Sequence, residues 1–126
     1  MNLRVLIVDD SKFMRMLLGD LLSRNGFEIL EAESGEEAVK VYLAERPDLV
    51  TLDILMPGRD GIETVQDLRA QDPDARVVMV TALGMEDYIQ RALEAGADGF
   101  ILKPFSPERV LETLREVMDR PPRSAG

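Results

Sequence analysis

The sequence predicts an α/β domain with a parallel sheet covered by helices on both faces. Two observations carry this. Short apolar runs alternate with amphipathic stretches five times along 126 residues, so each pair reads as one strand–helix unit. The runs are also almost continuously apolar rather than alternating, the pattern of strands buried on both sides. A chain of this length makes one domain, and its crossovers are expected to be right-handed.

The elements follow in order. Leu3 to Val8 is a short apolar run with β-branched members, a buried strand. Lys12 to Asn25 carries Met14, Leu17, Leu18 and Leu21 at helical spacing, with Gly26 suited to a left-handed stop. Phe27 to Glu31 is a second strand. Ser34-Gly35-Glu36-Glu37 fits a capping box ahead of a helix whose apolar face is Ala38, Val41 and Tyr42. After Pro47, Asp48 to Ile54 is the third strand. Asp60-Gly61-Ile62-Glu63 starts a capped helix running to about Gln71. Arg76 to Val80 is the fourth strand, and Glu86 to Ala95 a helix ended by Gly96. Gly99 to Leu102 is the fifth strand. Ser106 with Pro107 opens the last helix, which turns Val110, Leu114, Val117 and Met118 inward. Residues 120–126, rich in Pro and Arg, read as a flexible tail or the start of a linker.

Composition narrows the chemistry. The chain has 0 Cys, which removes disulfides, thiolate catalysis and cysteine-bound zinc. It has 0 His, which removes imidazole bases and the usual transition-metal ligands. With 15 Lys+Arg against 24 Asp+Glu, the net charge of −9 gives no electrostatic reason to approach nucleic acid or an anionic membrane. The apolar stretch near the start is too short for a signal sequence or a membrane span, so a cytoplasmic setting is expected.

Sites on such sheets form beyond the carboxyl ends of the strands. There the first strand ends in Asp9-Asp10, the third at Asp53 and the fourth at Thr81, while Lys103-Pro104 follows the fifth. Each has an ordinary alternative. Asp9, Asp10 or Ser11 could cap a helix, Thr81 could be a plain strand residue, Lys103 a solvated lysine and Pro104 a strand terminator. Asp53, inside Leu49-Val50-Thr51-Leu52-Asp53-Ile54-Leu55, is harder to dismiss, because a charge in an apolar strand is seldom buried without a partner. Converging carboxylates repel one another unless a cation compensates, and a hard ion such as Mg²⁺ suits oxygen ligands. Without His or Cys, a carboxylate is the available nucleophile, and carboxylates beside Thr and Lys suit the handling of a phosphoryl group.

Four segments, Val5-Leu6-Ile7-Val8-Asp9-Asp10-Ser11, Asp53-Ile54-Leu55-Met56-Pro57-Gly58-Arg59-Asp60-Gly61, Val80-Thr81-Ala82 and Gly99-Phe100-Ile101-Leu102-Lys103-Pro104-Phe105, occur in this order. Through them the chain resembles the receiver domain of two-component response regulators, nearest to the stand-alone chemotaxis type, over residues 3–119. The resemblance implies a flavodoxin-like sheet of order 2-1-3-4-5 and a receiver domain spanning 1–119. It implies that Asp53 is the phosphoacceptor, and that Asp9, Asp10, Asp53 and the backbone carbonyl of Leu55 bind Mg²⁺, with Mn²⁺ able to replace it. Thr81 and Lys103 would contact the phosphoryl group, and Lys103–Pro104 would be a cis peptide. Thr81 and Phe100 would form the switch, Phe standing where many members carry Tyr. Leu55 and Leu83 occupy positions that tune dephosphorylation in the family, and both are apolar here.

The partners so implied are a sensor histidine kinase as donor, a downstream protein such as the flagellar motor switch, and a phosphatase, with the chain itself a monomer. The responding surface would be the fourth helix, fifth strand and fifth helix. Other readings are a receiver piece of a larger regulator, a Mg²⁺-dependent aspartyl phosphatase and a flavin-binding module. The phosphatase usually spaces its aspartates as D-x-D, whereas Asp9 and Asp10 are adjacent. The flavin module wants a Ser/Thr/Gly-rich loop where Asp9-Asp10-Ser11-Lys12 stands.

Overall fold

Five strands alternate with five helices in a computed structural model that describes residues 2–125 apart from Pro57, Arg59 and Leu83. They are β1 (Arg4–Val8), α1 (Lys12–Arg24), β2 (Glu28–Ala32), α2 (Gly35–Glu45), β3 (Leu49–Asp53), α3 (Gly61–Gln71), β4 (Val77–Ala82), α4 (Glu86–Ala95), β5 (Gly99–Lys103) and α5 (Pro107–Asp119), followed by a 3₁₀ turn (Arg123–Ala125). The strands form one parallel sheet of order β2-β1-β3-β4-β5, the flavodoxin-like order. The chain first winds outward from β1 to β2, then returns past β1 to β3. The reversal falls between β1 and β3, where the crossovers diverge and leave a crevice at the carboxyl edge.

Alternation along each strand divides the core in two. Leu6, Val8, Val50, Leu52, Val77 and Met79 pack with Ala38, Tyr42, Val65, Leu68 and Ala92 of α2, α3 and α4. Val5, Ile7, Leu49, Val78, Val80 and Ile101 pack with Leu18 and Leu22 of α1 and Val110, Leu114 and Val117 of α5. Both faces of the central strands β1, β3 and β4 are therefore dry, which explains why those strands read as continuous apolar runs.

Caps set the helix starts. The Ser11 and Ser106 hydroxyls accept from the Met14 and Arg109 N–H groups, and Pro107 fills the first turn of α5. Asp60 and Glu63 make a full capping box. At α2 only half of the expected box forms. Ser34 accepts from the Glu37 N–H, but the Glu37 carboxylate takes the Glu33 N–H, one residue ahead of the cap.

Two differences from the sequence reading bear on the site. β4 and β5 run further than their apolar residues, because Thr81 and Ala82 stay in register with Leu102 and Lys103. Ladder pairing continues through polar residues that hydropathy leaves out. In α1 the buried residues are Arg15, Leu18 and Leu22, whereas Leu17 is exposed and Met14 and Leu21 are only half-buried. The helix is rotated so that an arginine, not a leucine, occupies the first core-facing turn.

The segment beyond α5 makes contacts of its own at the opposite edge of the sheet. The Ser124 N–H and hydroxyl donate to the Asp74 carboxylate at 2.9 and 2.7 Å. Arg123 donates to Asp98 and to the Gly96 carbonyl, and Arg76 donates to the Arg120 carbonyl. Asp98 also pairs with Arg69 and accepts from the Val77 N–H at the start of β4.

The tightest backbone approach lies under the candidate site. Gly61 opens α3, and its N–H donates to the Ile54 carbonyl. A Cβ there would lie 2.5 Å from the Asp53 carbonyl oxygen and 2.7 Å from the Ile54 Cα. Neither atom belongs to a side chain that could turn away. Gly61→Ala is therefore expected to destabilise the fold by about 2–3 kcal/mol, read as a lower midpoint in urea unfolding; an unchanged midpoint would show that this contact does not constrain β3.

Candidate functional site

The carboxyl edge brings four strand ends together. β1 delivers Asp9 and Asp10, β3 delivers Asp53, β4 delivers Thr81 and β5 delivers Lys103. One carboxylate oxygen each from Asp9, Asp10 and Asp53 lies within 4.8 Å of the others. Asp9 is buried, Asp53 half-buried and Asp10 exposed, so the cluster opens to solvent on the Asp10 side. The Lys103 ammonium lies 3.8 Å from the nearer oxygens of both Asp9 and Asp53. It is the cation that keeps the two deeper carboxylates from facing each other unscreened.

Backbone donors orient the acids. The Ser11 N–H donates to Asp9 Oδ1 at 2.9 Å, and the Leu55 N–H to Asp53 Oδ1 at 3.3 Å. Burial pushes the Asp53 carboxyl up to about 6; Lys103 and the Leu55 N–H pull it down, while Asp9 and Asp10 push it further up. Such a shift, from desolvation plus like charge, marks a group held in an unfavourable state by its surroundings. All-oxygen donors, three negative charges and an open side fit a hard divalent cation, which takes few protein ligands and completes its shell with water.

Of the described residues singled out from the sequence, all but Phe100 fall at or beside this edge. Thr81 is 2% exposed and Phe100 41% exposed. Phe100 pairs with Met79 and Leu102 with Thr81, so the ring sits two residues back along the neighbouring strand. The Lys103–Pro104 peptide is cis. The Leu55 side chain is exposed, while Leu83 lies outside the described residues. One residue escaped the sequence reading. Arg15 is buried and donates to the Asp9 carbonyl. Its signal was present, since residues 15, 18 and 22 share a helical face, but a lone arginine among methionines and leucines reads as a surface residue.

The chain belongs to the response regulator receiver domain family, whose model matches residues 5–115. It is a receiver of the CheY type. The chemotaxis protein CheY of Bacillus subtilis is 46% identical over 117 residues, covering 92% of this chain and 98% of that protein. CheY of Thermotoga maritima is 45% identical over 118 residues, with 93% and 98% covered. Sporulation initiation phosphotransferase F of B. subtilis is 36% identical over 118 residues, covering 94% and 95%. Among solved structures, Vibrio cholerae chemotaxis protein CheY4 superposes with a TM-score of 0.87 at 33% identity, covering 93% of this chain and 99% of that one. The receiver domain of NtrX from Brucella abortus gives 0.89 at 30% identity, with the same coverage. Receiver domains are signalling switches of two-component systems. Among the described residues no helix is long and apolar enough to cross a membrane.

The Asp53 shift has a measurable sign. Below 3.8 the carboxyl is protonated whether the chain is folded or not; as pH rises through about 6, the folded state must ionise a group that the unfolded chain ionises freely. Stability thus falls over this window, and asparagine carries no such titration. With chelator present, Asp53→Asn is expected to melt above the parent at pH 7–8 by about 4 °C, corresponding to ~1 kcal/mol after discounting for solvent screening. The gap should close as pH falls toward 4. Equal melting temperatures across the range would contradict the raised carboxyl.

Proposed function

We propose that this receiver is a phosphoryl-accepting switch in which Asp53 takes a phosphoryl group from a phosphohistidine on a partner kinase. The supporting observation is the meeting of Asp9, Asp10 and Asp53 within 4.8 Å, beside an ammonium 3.8 Å from two of them. An Asp53 oxygen attacks phosphorus in line; an O–P bond forms, the donor's N–P bond breaks, and the imidazole leaves with a proton from solvent. The chain has 0 His and so takes the acceptor side of this pair.

Asp9, Asp10, Asp53 and the Leu55 carbonyl would hold Mg²⁺, or Mn²⁺ in its place. When bound, the ion supplies positive charge that offsets the carboxylates and the phosphoryl oxygens. The Lys103 ammonium contacts a phosphoryl oxygen, and the Thr81 hydroxyl donates to another. The chain catalyses only its own phosphorylation and dephosphorylation. The apolar Leu55 side chain, 58% exposed, offers no group to orient an attacking water, which favours a long-lived acyl phosphate unless a phosphatase supplies one. Leu83 would contribute in the same way.

Acylation makes the site more negative by up to about one charge. Thr81 is drawn toward the new oxygens, and Phe100 turns into the space it leaves. The α4–β5–α5 surface then changes shape for a protein partner. The names of the relatives support a chemotaxis role, with the flagellar motor switch as the candidate target. Residues 1–119 would form the receiver and 120–126 a tail or linker start, acting as a cytoplasmic monomer. The −9 charge argues against nucleic acid and anionic membranes as partners.

Two experiments test this. With acetyl phosphate and Mg²⁺ the parent should gain one acid-labile phosphoryl group by mass spectrometry and Asp53→Asn none; uptake by the variant would sink the assignment. Adding beryllofluoride should shift the Phe100 ring resonances toward those of a buried ring, and an unmoved ring would remove Phe100 from the switch.

A further inference from the structure

We propose that Arg15 is a positioning residue for the Asp9–Asp10 pair, acting through the carbonyl of the peptide that joins them. This rests on the reading of the two aspartates as divalent-cation ligands. Arg15 sits in the first turn of α1 and is only 7% exposed. A guanidinium so buried needs acceptors for its donors. Two take hydrogen bonds, Nη1 donating to the Asp9 carbonyl at 2.6 Å and Nε to Glu31 Oε1 at 3.0 Å, while Nη2 forms a looser ion pair 3.8 Å from Glu33 Oε1. Glu31 lies in β2 and Glu33 just beyond its end, so the two carboxylates hold the guanidinium from the neighbouring strand.

The shortest of these contacts is the one to Asp9. Asp9 is also held by its N–H, which donates to the Ala32 carbonyl at 3.2 Å, and by its carboxylate, which accepts from the Ser11 N–H and lies 3.8 Å from the Lys103 ammonium. The Ser11 bond closes an Asx turn around Asp10 from its far side, and the Arg15 bond sets the peptide plane from which that turn starts. The peptide unit is planar, so clamping its oxygen fixes the direction in which the chain leaves Asp9 and therefore where the Asp10 Cα stands. Asp10 is exposed, and its placement beside Asp9 and Asp53 depends on that plane. Arg15 thus orders the exposed member of the cluster through a neighbour it bonds directly. Groups that orient metal ligands in this indirect way typically change affinity by about 10–100-fold when removed.

The test uses the full chain, with Mg²⁺ titrated by calorimetry and the Asp9 carbonyl carbon followed by NMR in chelator. Arg15→Met is expected to weaken Mg²⁺ binding about tenfold and to move the Asp9 carbonyl resonance in metal-free protein. Arg15→Lys, which can still donate to one oxygen, should return affinity to within about threefold of the parent. Leu114→Ala, a core truncation in α5, should lower stability and leave affinity within about twofold. The proposal is overturned if Arg15→Met binds Mg²⁺ like the parent, or if Leu114→Ala weakens binding as much as Arg15→Met does. Asp10→Asn separates the two layers: normal binding by that variant sinks the ligand reading and the proposal with it. Lost binding there with none lost in Arg15→Met overturns the positioning role alone. Should Arg15→Met fail to fold, Glu31→Gln carries the test. It loosens one hold on the guanidinium and should cost about threefold in affinity with a shifted Asp9 carbonyl; no change in either would overturn the proposal.

Discussion

Three carboxylates gathered at one edge of a sheet are the constraint on which the rest of this molecule depends. Left alone, such charges repel and the strands bearing them would splay. Burial pushes the Asp53 carboxyl up to about 6 against the pull of Lys103, and the acidic neighbours push the same way as burial. What keeps the cluster together is covalent and steric before it is electrostatic. β1 and β3 are adjacent in register, so Val8 pairs with Leu52 and the acids that follow have no freedom to separate. Gly61 presses α3 against the back of Asp53 and Ile54 with no side chain between them. Lys103, arriving from the far edge strand, then supplies a cation that bridges Asp9 and Asp53.

The opposite edge of the sheet has the reverse character. There Arg69, Arg76 and Arg123 meet Asp98 and the carbonyls of Gly96, Val117, Met118 and Arg120, and Ser124 is bonded to Asp74. Charges at that edge are paired, and its loops are tied to one another and to the segment beyond α5. The two edges share the same buried strands. An edge tied by ion pairs and carbonyl contacts anchors the fold while the other holds groups in a state they would not adopt in water, a division expected where function requires strain.

The sequence made most of this legible because the signals are local or strictly periodic. Continuous apolar runs announce buried parallel strands. Ser106-Pro107 and Asp60-Gly61-Ile62-Glu63 announce helix starts, and both form as read. The site was legible because strand ends in such a sheet share one edge, so position along the chain converts directly into position in space. Where reading failed, the deciding contact came from elsewhere in the chain. Nothing in α1 alone says that Arg15 faces inward, because its partners Glu31 and Glu33 lie on β2 and beyond. Nothing near Ala82 says that β4 continues to it, because that depends on β5. The contacts of Ser124 and Arg123 depend on Asp74 and Asp98, far back in the chain.

These failures share a cause with the way the site is suited to switching. Thr81 is nearly sealed at the end of β4, and Phe100 lies partly in solvent on the adjacent strand. Thr81 and Phe100 lie on one face of the paired strands, two residues apart in register. Under the proposed phosphorylation, a change of charge at Asp53 would act on Thr81 at the end of β4 and on Lys103 at the end of β5, two strands paired in register. The same cross-strand dependence that hides these contacts from a linear reading gives the proposed phosphoryl group its leverage. A local signal would report only to its own helix, whereas a residue fixed by two strands couples the edge where charge arrives to the surface where a partner would dock.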